Sequence, residues 1–251
     1  LLFVIIFIIS IAGSLRVFLP YVSDLTGFPF GHKRYLIVFQ NNSELRPTGG
    51  FISSYGIVNF TAGIPSIKID NVYGDVDNHP RLIGPYPMGQ LLANKWYKGY
   101  TFRDGNFNPD FPSSAEELIR LYDLAKPGTD FDGVISINFN ALQDILKAIG
   151  PVKVNGEWLG KDNVFEKVTD SVNDIDRHNL AALANRKSIL KPLATQLIWK
   201  IILNPFKLRK ISDTITASLS KKDIQLYFRK SDGLKNLVAK FHWNGAWPHK
   251  V

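Results

Sequence analysis

The chain has 251 residues, 45% hydrophobic and 21% charged, a composition that excludes a disordered protein and suits one large domain or two small ones. It has no cysteine, which excludes disulfides, zinc–thiolate sites and thiol nucleophiles. The net charge of +8 is uneven, with 15 Lys/Arg against 3 Asp/Glu in residues 177–251 and 15 against 19 in residues 1–176. A basic last third suits an anionic partner such as lipid head groups or a phosphate-bearing polymer.

From Leu1 to Gly13 the chain reads LLFVIIFIISIAG without a charge, and the apolar character continues past Arg16 to Leu19 before Pro20. A spanning helix takes about 20 apolar residues. A truncated transmembrane anchor over 1–22 is therefore expected, with sequence missing at both ends of the chain. A buried core helix or the apolar part of a signal peptide is the alternative. The charges that would set the orientation of a span are absent.

A single domain is expected over 33–251. Tyr35 to Phe39 is a short apolar run that suits a strand buried on both faces. Phe51 to Phe60 and Ser66 to Val72 read as antiparallel strands joined by the turn residues 61–65. Residues 74–112, rich in Gly, Pro, Asn and Asp, read as a long irregular excursion. Ser113 to Glu116 has the spacing of a capping box and opens a helix carrying Leu118, Leu121, Tyr122 and Ala125, which Pro127-Gly128 ends. A strand over Val134 to Ile137 and a helix over about 139–149 follow, with Gly150 as the stop. Asn155-Gly156 predicts a hairpin between 152–154 and 157–159. Helices near 162–169, 178–203 and 205–219, a strand over Ile224 to Phe228 and a helix over 232–240 complete an α/β sandwich with a mixed sheet.

Three segments carry candidate chemistry. In the polar loop from Gln40 to Phe51, Gly49 and Gly50 let the backbone approach a ligand, and their N–H groups with Arg46 would cradle an anion such as phosphate; a tight turn with Arg46 paired to an acid accounts for the same residues. In Phe102 to Pro112, Asp104, Asp110 and two amides suit Mg²⁺ or Ca²⁺ bridging to a phosphate, although Asx and Pro residues also favour ordinary turns. Asp70, Asp75 and Asp77 read as a solvated acidic loop. Arg177 and Arg186, nine residues apart on a basic helical stretch, would face one pocket only approximately. No His-x-x-x-His, nucleophile elbow, P-loop or dinucleotide-binding fingerprint is present.

The runs YLIVFQNNSELRPTGGFISSYGIV, RDGNFNPDFPSSA and FDGVISINFNALQDILKAIGPVKV resemble, in order and spacing, the bacterial domain-of-unknown-function family 4012 (DUF4012), over about residues 34–247. That family is in turn similar to the LytR-CpsA-Psr phosphotransferases, membrane-anchored enzymes that move glycopolymers from a polyprenyl-pyrophosphate carrier to peptidoglycan. The likeness lies in Phe131 to Val154 and in Asn185-Arg186-Lys187-Ser188, which sits at a helix motif of those enzymes. Arg46 takes the place of one of their arginines, but Pro47-Thr48-Gly49 replaces the Ser-Asp-Thr that follows it, and no Pro-Arg-Asp-Thr counterpart follows the third strand.

The resemblance implies an extracytoplasmic, single-pass cell-envelope protein with a LytR-CpsA-Psr-like α/β/α sandwich. Arg46, Arg103, Arg177 and Arg186 would hold pyrophosphate. Asp104 and Asp110 would hold Mg²⁺ or activate an acceptor hydroxyl, giving a phosphotransferase acting on polyprenyl-phosphate-linked glycan. The incomplete arginine and aspartate pattern leaves a second reading open, a non-catalytic envelope module or scaffold that binds anionic glycopolymer. Nucleic acid is not expected as a partner of an outward-facing tethered domain.

Overall fold

A strand that is apolar on both faces needs partners at both edges and a helical layer on each side. The computed structural model, which describes residues 13–73, 76–77, 101–173 and 189–248, supplies both around the first apolar run. In chain order its elements begin with a 3-10 helix (Ser14–Tyr21) and α1 (Val22–Thr26), followed by β1 (His32–Asn41), β2 (Phe51–Thr61) and β3 (Ile64–Asn71). A 3-10 turn (Phe102–Asp104) precedes α2 (Phe111–Ala125), β4 (Gly133–Asn138) and α3 (Phe139–Ile149). The hairpin β5 (Val152–Val154) and β6 (Glu157–Leu159) leads to α4 (Val164–Asn173). The described part closes with α5 (Leu190–Ile202), α6 (Leu208–Lys221), β7 (Ile224–Phe228) and α7 (Asp232–Lys240).

The main sheet has the order β3-β2-β1-β4-β7 and is mixed: only β1 and β4 pair in parallel. Side chains alternate between its faces. On one face Leu36, Val38, Tyr55 and Val134 join Phe111, Leu118 and Tyr122 of α2, with the rings of Tyr55, Phe102, Tyr122 and Phe131 meeting edge to face. On the other, Tyr35, Phe60, Ile224 and Phe228 pack with Leu219 of α6, Leu234 and Val238 of α7, and Trp243. A third cluster joins α3, the β5–β6 hairpin, α4, α5 and α6 through Leu146, Leu159, Val164, Leu193 and Ile211. The expected mixed sheet with flanking helices is therefore observed.

Two expectations change. Residues 14–22, read as the second half of a membrane anchor, fold onto the domain: Phe18 is buried and stacks on Trp243 at 5.8 Å between ring centroids. Their apolar side chains serve the sheet layer, and Pro20 lies inside the 3-10 helix. Among the described residues no helix is long and apolar enough to cross a membrane; residues 1–12 lie outside them. The helix assigned to a Ser113 capping box starts earlier, at Phe111, with Asp110 as its cap and Pro112 in its first turn, where the missing proline N–H costs nothing. Of the excursion over 74–112, only 76–77 and 101–112 lie within the described residues, and the start of the 178–203 helix lies outside them.

Phe131 is fully buried, 5.0 Å from the Tyr122 ring at its edge-to-face contact. Phe131→Ala should lower the unfolding free energy in urea by about 3–5 kcal/mol, the range for an aromatic side chain removed from a rigid core. A loss within the scatter of surface substitutions would mean that the ring cluster is not the anchor of this layer.

Candidate functional site

β1 and β4 run in parallel, so both deliver their C-terminal ends, Gln40-Asn41 and Asn138, to one end of the sheet, here called the upper end. Between Phe39 and Gln40 the β1–β2 register shifts, leaving Ser53 as an extra residue on β2. Such a bulge re-aims the side chains beyond it. The loop over 42–50 then folds back on itself through hydrogen bonds from Glu44 N to Asn41 O (3.2 Å), Gly49 N to Arg46 O (3.0 Å) and Phe51 N to Glu44 O (3.0 Å). Gly50 has φ +149°, and a Cβ there would sit 2.4 Å from the Asn41 carbonyl oxygen; the fold-back requires glycine.

This loop roofs a buried polar cluster. The Gln40 amide donates to Thr48 Oγ1 at 2.9 Å, and Gln225 of β7 donates to the Thr48 carbonyl at 2.7 Å. Asn106 is fully buried and donates to the Gly50 carbonyl at 2.7 Å. Gln40 Oε1 and Asn106 Oδ1 have no hydrogen-bond partner, and neither has Arg46 Nε. Leaving such buried groups unbonded costs about 1–3 kcal/mol each.

Arg46 is held by weaker forces. Its guanidinium lies over the rings of Phe107 at 4.4 Å and Phe51 at 5.3 Å, with Nη2 3.8 Å from Asp104 Oδ1. A guanidinium carries five N–H groups in a fixed fork, so one loose ion pair leaves most of its donor capacity unspent. The rings fix the fork at little entropic cost while their π faces attract the cation. The turn containing Asp104 also carries Arg103, whose Nε lies 3.2 Å from Asp77 Oδ2 and whose guanidinium sits over Tyr73. Burial raises the Asp77 carboxyl pKa above the usual range, although Arg103 opposes it.

The structure thus brings together Arg46, Gly49, Gly50, Asp104 and, through the same turn, Arg103. Asp110 serves elsewhere. Its Oδ2 accepts from Ser113 N at 3.0 Å and Ser113 Oγ at 2.6 Å, and its Oδ1 accepts from Trp247 N at 2.9 Å. Asp104 is likewise engaged, its Oδ2 accepting from Thr101 N and Oγ1. Among the described residues no group of three His, Cys, Asp or Glu is placed to hold a metal ion. Since one of the two expected ligands is a helix cap and the other closes a turn, this donor set does not fit Mg²⁺. Arg177, Arg186 and Asp75 lie outside the described residues. Asp70, read with Asp75 and Asp77 as a solvated cluster, is nearly buried and pairs with Lys68 at 2.7 Å.

Sequence reasoning gave Gln40 and Thr48 no role within the polar loop, counted Asn106 only among the amides of a metal site, and did not single out Gln225. The available signal was polarity in the wrong place: Gln40 ends an apolar strand, and Gln225 interrupts one. On the opposite face of the sheet, an apolar cavity of about 220 Å³ lies between Phe39, Ile69, Ile137 and the helix residues Leu142, Leu193 and Leu197; Gln40 and Asn138 also line it. Its volume would take roughly seven waters, but apolar walls of this kind stay dry.

A family model described as "Protein of unknown function (DUF4012)" matches residues 31–172. Among curated proteins, none matches the chain. Solved structures with some likeness include protein gbs0355 from Streptococcus agalactiae, with 12% identity, TM-score 0.47, and coverage of 88% of this chain and 75% of that one. The transcriptional regulator EF0465 from Enterococcus faecalis gives 11%, 0.44, 84% and 72%, and TagT bound to LIIa-WTA gives 13%, 0.38, 84% and 74%. At such scores these likenesses carry no inference about chemistry.

Three substitutions check the assignments. Asp110→Ala should cost about 1 kcal/mol or more of stability, the usual value of a lost helix cap, and Asp110→Asn, which keeps an oxygen for the cap but loses the bond from Trp247 N, should cost less. Gly50→Ala should cost more, about 1–3 kcal/mol, because the new Cβ meets backbone at a positive φ. Urea unfolding measures all three, and an Asp110→Asn as damaging as Asp110→Ala would argue against a capping role.

Proposed function

The chain belongs to the DUF4012 family of proteins of unknown function, and we propose that its β1–β2 loop binds the phosphate of a polyprenyl-linked or otherwise anionic glycopolymer in the cell envelope. The observation that carries this reading is Arg46, a ring-clamped guanidinium whose buried Nε lacks a partner. A phosphate oxygen accepts from such a fork in a bidentate, charge-assisted way. The neighbouring acceptors Gln40 Oε1 and Asn106 Oδ1 suit hydroxyl or amide donors of the attached sugar. The apolar cavity reached past Gln40 and Asn138 suits the first part of a lipid tail.

On this reading the domain faces outwards from the membrane, anchored through the apolar residues at its N-terminus. Arg46 binds and orients, Gly49 and Gly50 let the loop backbone come close, and Arg103 with Asp77 fixes the turn that carries Asp104. Binding fits these residues better than transfer does. A phosphotransferase needs a base or metal at the reacting oxygen, whereas Asp110 is committed to capping α2 and Asp104 to its turn and to Arg46. The second reading, transfer to peptidoglycan, keeps Asp104 as the group that would take the acceptor proton once a phosphate drew Arg46 away from it.

Binding of a polyprenyl-pyrophosphate glycan to the full chain in detergent micelles tests both. Arg46→Gln should weaken it by at least tenfold, equivalent to about 1.4 kcal/mol, with the fold intact by circular dichroism. Leu193→Trp, which fills the cavity, should weaken the lipid-linked glycan but not the same glycan pyrophosphate without its lipid. Equal affinities for wild type and Arg46→Gln would sink the phosphate site, and product formation abolished by Asp104→Asn would establish transfer.

A further inference from the structure

The lower end of the domain, where β1 begins, carries a second feature unrelated to the ligand loop. β4 runs parallel to β1 and α3 returns beside it, so Ile149 at the end of α3 lies at the lower end. There Lys207 Nζ donates to the Ile149 carbonyl at 3.0 Å and Lys200 Nζ to that of Pro151, which fastens the corner between α5 and α6 to this end. At that corner Phe206 is 97% exposed, Leu203 75% and Trp199 47%. Single exposed apolar residues are ordinary, but three within eight residues form a patch of the kind that marks an interaction surface.

We propose that this corner docks on an anionic lipid bilayer, with Leu203 and Phe206 entering the head-group boundary. Cations surround the apolar tip: Lys200 and Lys207, and then Arg209 and Lys210, which enter none of the ion pairs among the described residues. Aromatic and leucine side chains beside Lys and Arg are what an interfacial segment uses, the first entering the acyl boundary and the second meeting lipid phosphates. Complementary charge therefore favours a bilayer over a neutral protein surface.

The chain's own path supports this placement. Leu15 N donates to Ser212 Oγ at 3.2 Å, and Gly13 lies so close that a Cβ there would be 2.6 Å from the same oxygen. Ser212 stands in the second turn of α6, a few residues beyond Phe206. The uncharged sequence LLFVIIFIISIA therefore joins the domain beside the corner. A second apolar tip lies at the same end: Ala62 N donates to Gly31 O at 2.8 Å and Gly63 N to Thr26 O at 3.1 Å, bringing Phe30, 91% exposed, next to the β2–β3 turn that carries Ile64, 68% exposed.

Because the chain has no cysteine, Phe206→Cys and Ser220→Cys each give one site for a nitroxide label. Ser220 lies near the far end of α6, roughly 20 Å away at 1.5 Å per residue. The full chain is reconstituted in vesicles of phosphatidylcholine with or without phosphatidylglycerol, and accessibility to oxygen and to an aqueous nickel chelate is read by power saturation. In anionic vesicles the oxygen-to-nickel ratio at 206 should exceed that at 220 by about threefold or more, as for a side chain at the acyl boundary. Arg209→Glu with Lys210→Glu should remove the difference. Equal ratios at the two sites would overturn the proposal, as would a difference that persists in purely zwitterionic vesicles. Spin–spin broadening between 206 labels would overturn it in favour of a second copy of the chain.

Discussion

β1 is hydrogen-bonded at both edges and buried on both faces, and the constraint that organises the upper end is what happens when such a strand stops. Up to Asn41 its backbone groups are satisfied by β2 and β4. Beyond that point the chain leaves the sheet, with Ser43 to Leu45 exposed, and the peptide groups that return to the interior at Thr48 and Gly50 must find partners there. The bulge at Ser53 and the fold-back closed by Phe51 N and Glu44 O meet that need. They also bring Thr48 and the Gly50 carbonyl back against Gln40 and Asn106, so that these polar groups are buried together.

Burying that many polar groups at a strand end leaves the hydrogen-bond inventory unbalanced. Thr48 and the Gly50 carbonyl find partners from β7 and the 102–107 turn, but a donor on Arg46 and acceptors on Gln40 and Asn106 do not. A purely structural turn would gain by replacing each of them with a carbon-bearing side chain of similar size, since an unsatisfied buried group costs more than an absent one. Their placement beside two aromatic rings that hold the guanidinium is what the proposed phosphate site rests on. The same comparison weakens the case for a metal, because both oxygens of Asp110 and Oδ2 of Asp104 already accept hydrogen bonds.

Much of the fold was legible because periodicity and turn chemistry dominate locally. The Asn155-Gly156 hairpin, the β7 run Ile224–Phe228 and the helices starting near Phe139 and Asp232 all follow from alternation, caps and stops. The N-terminal boundary was not legible, since Leu15 and Phe18 are as apolar in a sheet-covering 3-10 helix as they would be in a membrane. Nor was the start of α2, where Asp110 outranked Ser113 because Pro112 fits only a first turn. At the site, Arg46 and the glycines could be picked out as a polar, glycine-ended loop. That Gln40, Asn106 and Gln225 meet there could not, because their convergence depends on a bulge and on a parallel strand pair far apart in sequence.

The basic last third, first read as a feature of the phosphate site, divides once it is folded. Lys200, Lys207, Arg209 and Lys210 gather at the lower end with Arg229 and Lys230, of which the last two are neutralised by Glu116 and Asp130. Lys221 and Lys222, at the upper end of α6, are tied to Asp144 and to the His242 carbonyl. Of these, the cations with neither an ion pair nor a carbonyl partner among the described residues are Arg209 and Lys210 at the corner, about 16 Å from the upper end if α3 is taken at 1.5 Å per residue. Over that distance, longer than the Debye length of about 8–10 Å at ordinary salt, exposed charges are largely screened. They contribute little to holding a phosphate at Arg46, and the two ends act independently. The proposed anion site therefore rests on local geometry, on Arg46 and its neighbours, while Arg209 and Lys210 bear on whatever surface the lower end meets.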